Sequence, residues 1–147
     1  MGLSLYGDPD ELDRLADRLR DRAAECRTCA EDHERQAGAT AWHSVAADQC
    51  RQRIYEDRLA ADQAAADLEH AAQVLRAHAQ VVRERLALIA RYEREITGWF
   101  DRAGSLIRRV ASEVPWSGWP YSPQNLPPTG DLRWLDVGAF MQRQGVI

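Results

Sequence analysis

Lysine is absent from this sequence of 147 residues, and all 19 of its basic residues are arginine. P-loop nucleotide binding, Schiff-base chemistry and pyridoxal phosphate enzymes all depend on a lysine, so these classes are excluded. Apolar runs of about 18 residues, the length that spans a membrane, are also missing. Residues 1–7 combine neither a basic region nor an apolar stretch of useful length. We therefore expect no membrane span and no signal peptide.

A concentration of basic charge is missing as well. The net charge is -4, and arginines alternate with acids along the chain instead of collecting in one segment. Proteins that bind nucleic acid usually carry a basic patch, because they must neutralise phosphates. The sequence therefore predicts no nucleic-acid partner.

Proline and glycine are absent from long stretches, which predicts long helices. The first helix is expected to begin at Asp8-Pro9, where an N-cap acceptor precedes proline at the first helical position. Apolar or small residues then recur at steps of three and four, as in a coiled coil, up to Gly38, where we expect the helix to end. This seam is Leu12, Ala16, Leu19, Ala23, Cys26, Ala30, His33 and Ala37.

A second helix is predicted to begin near Trp42 to Ser44 and to exceed 50 residues, since no glycine interrupts it before Gly98 and no proline before Pro115. Its seam changes phase once. The seam residues are Ala47, Cys50, Ile54, Asp57, Ala61, Leu68, Ala72, Leu75, Ala79, Val82, Leu86, Ile89, Glu93, Ile96 and Phe100.

The C-terminal part differs in composition. Residues 105–114 predict a short third helix, and the tryptophans and prolines of residues 116–128 favour turns or extended chain. Residues 132–147 are apolar enough to dock on other helices. The predicted fold class is all-α: an antiparallel helical hairpin (residues 8–102) with a long second helix, followed by a short helix and a Pro/Trp-rich tail (residues 103–147).

The two predicted helices differ in length, at roughly 45 Å and roughly 80 Å for a rise of 1.5 Å per residue. The longer helix then leaves an apolar overhang that something must cover, either the tail, a second copy of this chain, or a hairpin of another protein. We therefore predict a helical protein partner and a non-enzymatic role. The predicted partner-binding residues are Trp42, Leu75, Val82, Leu86, Ile89, Ile96 and Phe100.

Three cysteines and a histidine are candidates for covalent or metal chemistry. Cys26, Cys29 and His33 lie along one helix, and the predicted fold places Cys50 opposite. They form a weak candidate for a zinc site, since the knuckle turns typical of zinc sites are missing. A disulfide between Cys29 and Cys50 in an oxidising compartment, or buried free thiols, are the alternatives. We predict no cofactor and no catalytic residues.

The turn Trp42-His43-Ser44 between two helices resembles the Trp-X-Gly turn of the WXG family of type VII secretion substrates and the related actinobacterial helical-hairpin proteins. Ser44 takes the position of the glycine. The opening Tyr6-Gly7-Asp8-Pro9-Asp10-Glu11-Leu12, followed by Leu15-Ala16 and Leu19, is also similar to the start of such proteins. The resemblance covers about residues 5–102. Trp42 either plugs the corner between the helices or takes part in recognition.

The resemblance implies pairing into a four-helix bundle, with another hairpin or a toxin as partner, and a protein that is cytoplasmic before export and then secreted or held at the cell surface. Family members carry a Tyr-X-X-X-Asp/Glu export signal after the second helix. This sequence has no match there, so a partner would have to supply the signal. The alternative is a cytosolic scaffold or chaperone-like adaptor unrelated to secretion.

Overall fold

A computed structural model of the chain describes residues 7–110 and 113–147, except for the side chain of residue 110. The described residues form three helices and no strand: α1 (Pro9–Ala39), α2 (Val45–Val110) and α3 (Trp134–Arg143). The predicted all-α class is therefore confirmed.

The start of α1 follows the predicted cap. The Asp8 carboxylate accepts a hydrogen bond of 2.9 Å from the backbone N–H of Asp10, and Pro9 is the first helical residue. Gly38 does not end the helix, because α1 runs to Ala39 and the chain becomes extended at Thr40. α2 begins one residue after Ser44, whose hydroxyl accepts a hydrogen bond of 3.1 Å from the N–H of Ala47. Its 66 residues agree with the prediction of a helix longer than 50 residues.

The chain divides into two compact units, one of residues Gly7–Val81 and one that contains Val82–Ile147. α2 contributes to both units. The boundary therefore falls about twenty residues earlier than the predicted one at residue 102, because the tail packs on the second part of α2.

In the first unit, α1 and the first part of α2 run antiparallel. Three ion pairs join them: Asp17 with Arg76, Arg27 with Glu69, and Glu34 with Arg58. The position on α2 falls as the position on α1 rises, which is the order of antiparallel helices. Alanine fills the seam between them, so the two backbones can approach closely. The fully buried seam residues are Ala16, Ala23, Ala47, Ala65, Ala72 and Ala79.

The second unit buries larger side chains. Trp134 is 2% exposed, and its indole N–H donates to the carbonyl of Pro128 at 2.9 Å. Val137 and Met141 of the same helix are fully buried. These side chains pack with residues of α2 in one cluster. Its buried members are Ile89, Tyr92, Ile96, Phe100, Trp134, Val137 and Met141.

Aromatic rings of the tail extend this cluster. Trp99 of α2 stacks on Trp119, with ring centroids 5.7 Å apart and planes at 13°. Phe140 of α3 contacts both Trp119 and Tyr121 edge to face. Aromatic contacts therefore hold both parts of the tail, the turns through Trp119 and Tyr121 and α3 through Phe140.

The predicted short third helix at residues 105–114 is wrong. Residues 105–110 continue α2 without a break, because one glycine at position 104 costs a helix only about 1 kcal/mol. The third helix, α3, lies instead in the segment that the sequence predicted to dock.

Candidate partner-binding surface

Four of the predicted partner-binding residues are buried within the chain itself. Val82 and Ile89 are 1% exposed, Ile96 is fully buried, and Phe100 is 3% exposed. For Ile89, Ile96 and Phe100 the cover is the tail, which was one of the three covers predicted from the sequence. These four residues are therefore not exposed to a partner in this structure, and their assignment to a partner-binding surface is corrected. Leu75 and Leu86 are half-buried.

Trp42 does face solvent. Its side chain is 50% exposed, and that of the nearby Val45 is 76% exposed. The backbone of this turn is fixed by Arg51, whose guanidinium donates to the carbonyls of Thr40 at 3.2 Å and Trp42 at 2.7 Å, and to that of Ala37 at 3.4 Å. A cation on the last carbonyls of α1 also complements the negative end of that helix.

Arg51 was missed by sequence reasoning. It lies in the second turn of α2 and pairs with Asp48 at 3.2 Å, so in the sequence it is one of many arginines near an acid. What distinguishes Arg51 is its contact with the carbonyls of the turn, and this contact forms only when α2 folds back beside the end of α1.

The thiols do not form the predicted bridge. Cys26, Cys29 and Cys50 are all free, and Cys29 and Cys50 are exposed. Cys29 precedes the seam residue Ala30 by one position, which turns its side chain about 100° away from the seam. The Cys26 thiol donates to the carbonyl of Ala61 at 3.7 Å. The three cysteines are therefore free thiols in this structure, and the disulfide in an oxidising compartment stays a prediction.

The candidate zinc ligands are not gathered either. Among residues 7–110 and 113–147, no group of three or more histidine, cysteine or acidic side chains is placed to hold a metal ion. His33 and Cys50 both line a recess of about 260 Å³ at the turn, together with Trp42 and Ile54. Cys29 lines a separate recess, which His33 also borders, and Cys50 does not line it.

An uncharged surface lies on the side of α2 that faces away from α1. At 100° per residue, all positions from 52 to 81 that lie within about 40° of Leu59 around the helix carry no formal charge at pH 7. We call these nine positions the outer stripe, and each of them is exposed. The outer stripe consists of Gln52, Tyr55, Leu59, Gln63, Ala66, His70, Gln73, Ala77 and Val81.

The largest apolar side chains of the outer stripe remain about half in solvent. Tyr55 is 45% exposed, Leu59 51% and Val81 43%. The equivalent outward face of α1 has the composition expected of a solvated surface. It is lined by Arg14, Arg18, Asp21 and Glu25, all exposed. The same unit thus has one charged outer face and one that lacks charge over eight turns.

The charges of α2 next to the seam are drawn towards α1. Arg27 donates two hydrogen bonds to the Glu69 carboxylate, one of them 3.0 Å long, and these lower the pKa of Glu69 below its ordinary value. Arg58 donates one hydrogen bond of 2.6 Å to the Glu34 carboxylate. Because these side chains reach across the seam, their charged groups lie away from the outer stripe.

Sequence reasoning missed the outer stripe because it assigned one apolar seam to each helix. Three glutamines and a histidine interrupt the apolar residues, so the stripe does not stand out by hydrophobicity. A signal does exist: Tyr55, Ala66 and Ala77 are spaced by eleven residues, and so are Leu59, His70 and Val81. An eleven-residue repeat keeps residues aligned along a nearly straight helix.

Within the described ranges, no helix combines the length and the apolar content needed to cross a membrane. Comparisons of the chain with protein-family models, with curated proteins and with solved structures find no significant match.

Proposed function

We propose that this chain is a non-enzymatic interaction protein that binds an α-helix of a partner along the outer stripe. The observation that carries this proposal is the exposure of nine consecutive stripe positions without a charge. The stripe extends over 29 residue steps, which is about 45 Å along the helix axis. A solvated helix face of this length normally carries charged residues, as the outer face of α1 does.

The pattern fits a helix better than it fits other partners. Stripe residues recur at steps of three, four and seven, which are the contact positions for a second helix packed along the first. Gln52, Gln63 and Gln73 add hydrogen-bonding groups that select a partner without introducing charge. The small residues Ala66 and Ala77 leave room for larger side chains of the bound helix.

The first prediction compares two exposed leucines of α2. Leu59 is 51% exposed within the outer stripe, and Leu106 is 62% exposed outside it. We expect Leu59→Glu to abolish partner capture, since a glutamate in the middle of an apolar contact loses its hydration, whereas Leu106→Glu retains the partner. Cross-linking in the native host followed by mass spectrometry measures this. Equal capture by both variants contradicts the proposal, and circular dichroism checks that both remain helical.

We further propose that the chain is a WXG-like component of a type VII secretion system, as substrate, adaptor or toxin partner. The support for this is the Trp42-His43-Ser44 turn, together with the exposure of the Trp42 side chain. The chain is then cytoplasmic before export, and its partner supplies the export signal. The missing Tyr-X-X-X-Asp/Glu motif supports the alternative, a cytosolic helical scaffold or chaperone-like adaptor.

The second prediction separates these two roles. If the chain travels with an exported partner, its extracellular level falls in a host whose secretion ATPase is inactive. A cytosolic scaffold gives no extracellular protein in any of these strains. Quantitative immunoblotting of culture supernatants, with a cytosolic marker as lysis control, distinguishes the outcomes.

A further inference from the structure

The order of residue types along the outer stripe from Tyr55 to Val81 is similar in both directions from the midpoint of that segment. Position 68 lies halfway between Tyr55 and Val81, and reversal of the helix about this point exchanges these two residues. The same reversal exchanges Leu59 with Ala77 and Ala66 with His70. It also exchanges Gln63 with Gln73. Each exchange joins an apolar or small residue to another such residue or to histidine, or joins two glutamines.

We propose that the occupant of the outer stripe is a second copy of this chain, bound antiparallel. The two-fold axis passes through the stripe at the level of position 68 along the helix. This inference rests on the proposed function, that the stripe binds a helix. In a two-fold contact, the same patch on both copies must complement itself. Reversal about position 68 provides that complementarity for eight of the nine stripe positions, and Gln52 lies beyond the end of the matched segment.

The sizes of the side chains favour the antiparallel arrangement. Leu59 lies against Ala77 of the second copy, and Tyr55 against its Val81, so large and small residues alternate across the contact. A parallel pair sets each residue against itself: Leu59 meets Leu59, and Ala66 meets Ala66. Bulges then alternate with gaps, which interiors packed at normal density do not tolerate well.

The charges along the edge of the stripe agree with the same register. Asp62 and Arg76 lie on one flank of the stripe, six residues before and eight residues after the midpoint. In the antiparallel pair, Asp62 of each copy lies within one helical turn of Arg76 of the other, next to the pairs that Asp62 makes with Arg58 and Arg76 makes with Asp17 in its own chain. The two acids nearest the axis already have partners, since Glu69 pairs with Arg27 and Asp67 accepts a hydrogen bond of 2.9 Å from Gln63.

The size of the contact sets the expected affinity. A strip about 45 Å long and about 10 Å wide, the spacing of packed helices, covers roughly 450 Å² of each copy. Stable complexes usually bury about 800 Å² on each partner. We therefore expect a reversible dimer whose formation depends on protein concentration.

The third prediction tests this dimer by sedimentation velocity from about 1 μM to about 1 mM, the range that brackets a weak interface. The full chain is expected to shift from monomer to dimer with concentration. The Leu106→Glu variant shifts in the same way, whereas Leu59→Glu remains monomeric throughout. A dimer that survives Leu59→Glu overturns the proposal, because the contact then lies elsewhere.

Spin labels determine the direction of the pair. Gln49 and Ala71 are exposed on the same flank of the stripe. In chains with Cys26, Cys29 and Cys50 changed to serine, a single cysteine replaces one of these two residues and carries the label. With the axis beside position 68, the axial offset between the two copies is about 9 Å for residue 71 and about 57 Å for residue 49.

Four outcomes are distinguishable. A short distance for residue 71 and a long one for residue 49 supports the antiparallel dimer, and short distances for both overturn it in favour of a parallel pair. A chain that stays monomeric while its Leu59-dependent capture of another protein persists overturns the dimer but leaves the proposed function standing. A monomer without such capture contradicts both.

Discussion

Replacement of Trp134 by alanine is expected to lower the free energy of unfolding of the second unit by about 3–5 kcal/mol, the cost of deleting a large side chain from a packed core. Trp134 is 2% exposed, and its indole N–H donates a hydrogen bond of 2.9 Å to Pro128. Its loss leaves a cavity beside Ile89 and Ile96 and an unpaired carbonyl in the tail. α3 should therefore detach from α2 at denaturant concentrations that leave the natural chain intact.

Trp42→Ala is the matched control for this change. Trp42 is 50% exposed, so its truncation should cost less than about 1 kcal/mol. Limited proteolysis at residues 115–128 reports release of the tail, and near-ultraviolet circular dichroism reports loss of the stacked Trp99–Trp119 pair. Equal protection of the tail in both variants would show that Trp134 does not hold it in place.

The same experiment examines how the apolar overhang of the long helix is covered. The sequence correctly indicates that residues around Ile89, Ile96 and Phe100 need cover, because their burial is worth about 1.5–3 kcal/mol each. It does not indicate which cover is used. That choice depends on contacts over some forty residues of sequence, such as Ile96 with the cluster around Val137, and local patterns do not record them.

The helix starts were predictable because capping is local. Asp8 and Ser44 each act on a backbone N–H two or three residues away, so their effect can be read from the adjacent sequence. Helix ends were less predictable. Gly38 is the penultimate residue of α1, one residue before the helix ends. Gly104, which precedes the predicted third helix, lies inside α2, where a single glycine costs less than the surrounding packing contributes.

The outer stripe was not predicted, because its signal in the sequence is weak. A stripe is recognised in a sequence by its hydrophobicity, and the buried seam of the first unit is built largely of alanines such as Ala65 and Ala72, which give a weak signal. The outer stripe is equally mixed, since Gln63 and His70 lie among its apolar residues. The contacts of Arg58 and Glu69 with α1 were needed to show which face of α2 is left uncharged.

The close approach of α3 to α2 gives the remaining prediction. Gly138 is buried against the ring of Tyr92, and a Cβ placed on it would lie 2.6 Å from the Tyr92 Cγ and closer still to the adjacent ring carbons. Real Cβ atoms do not come this close, so Gly138→Ala must move either the ring or α3. We expect a loss of about 1–3 kcal/mol in the free energy of unfolding, although alanine is the better helix former.

Gly104→Ala is expected to change the free energy of unfolding in the opposite direction. Its added Cβ would meet the Trp116 ring at an ordinary 4.0 Å, so the variant should gain up to about 1 kcal/mol from helix propensity alone. Denaturant titration of both variants measures the contrast. The cause can be assigned with Tyr92→Ala: if the ring is the obstacle, Gly138→Ala should cost much less in a chain that already lacks it, and the two changes should be strongly non-additive. Additive losses would place the strain elsewhere in α3, because the space freed by the missing ring would then bring no relief.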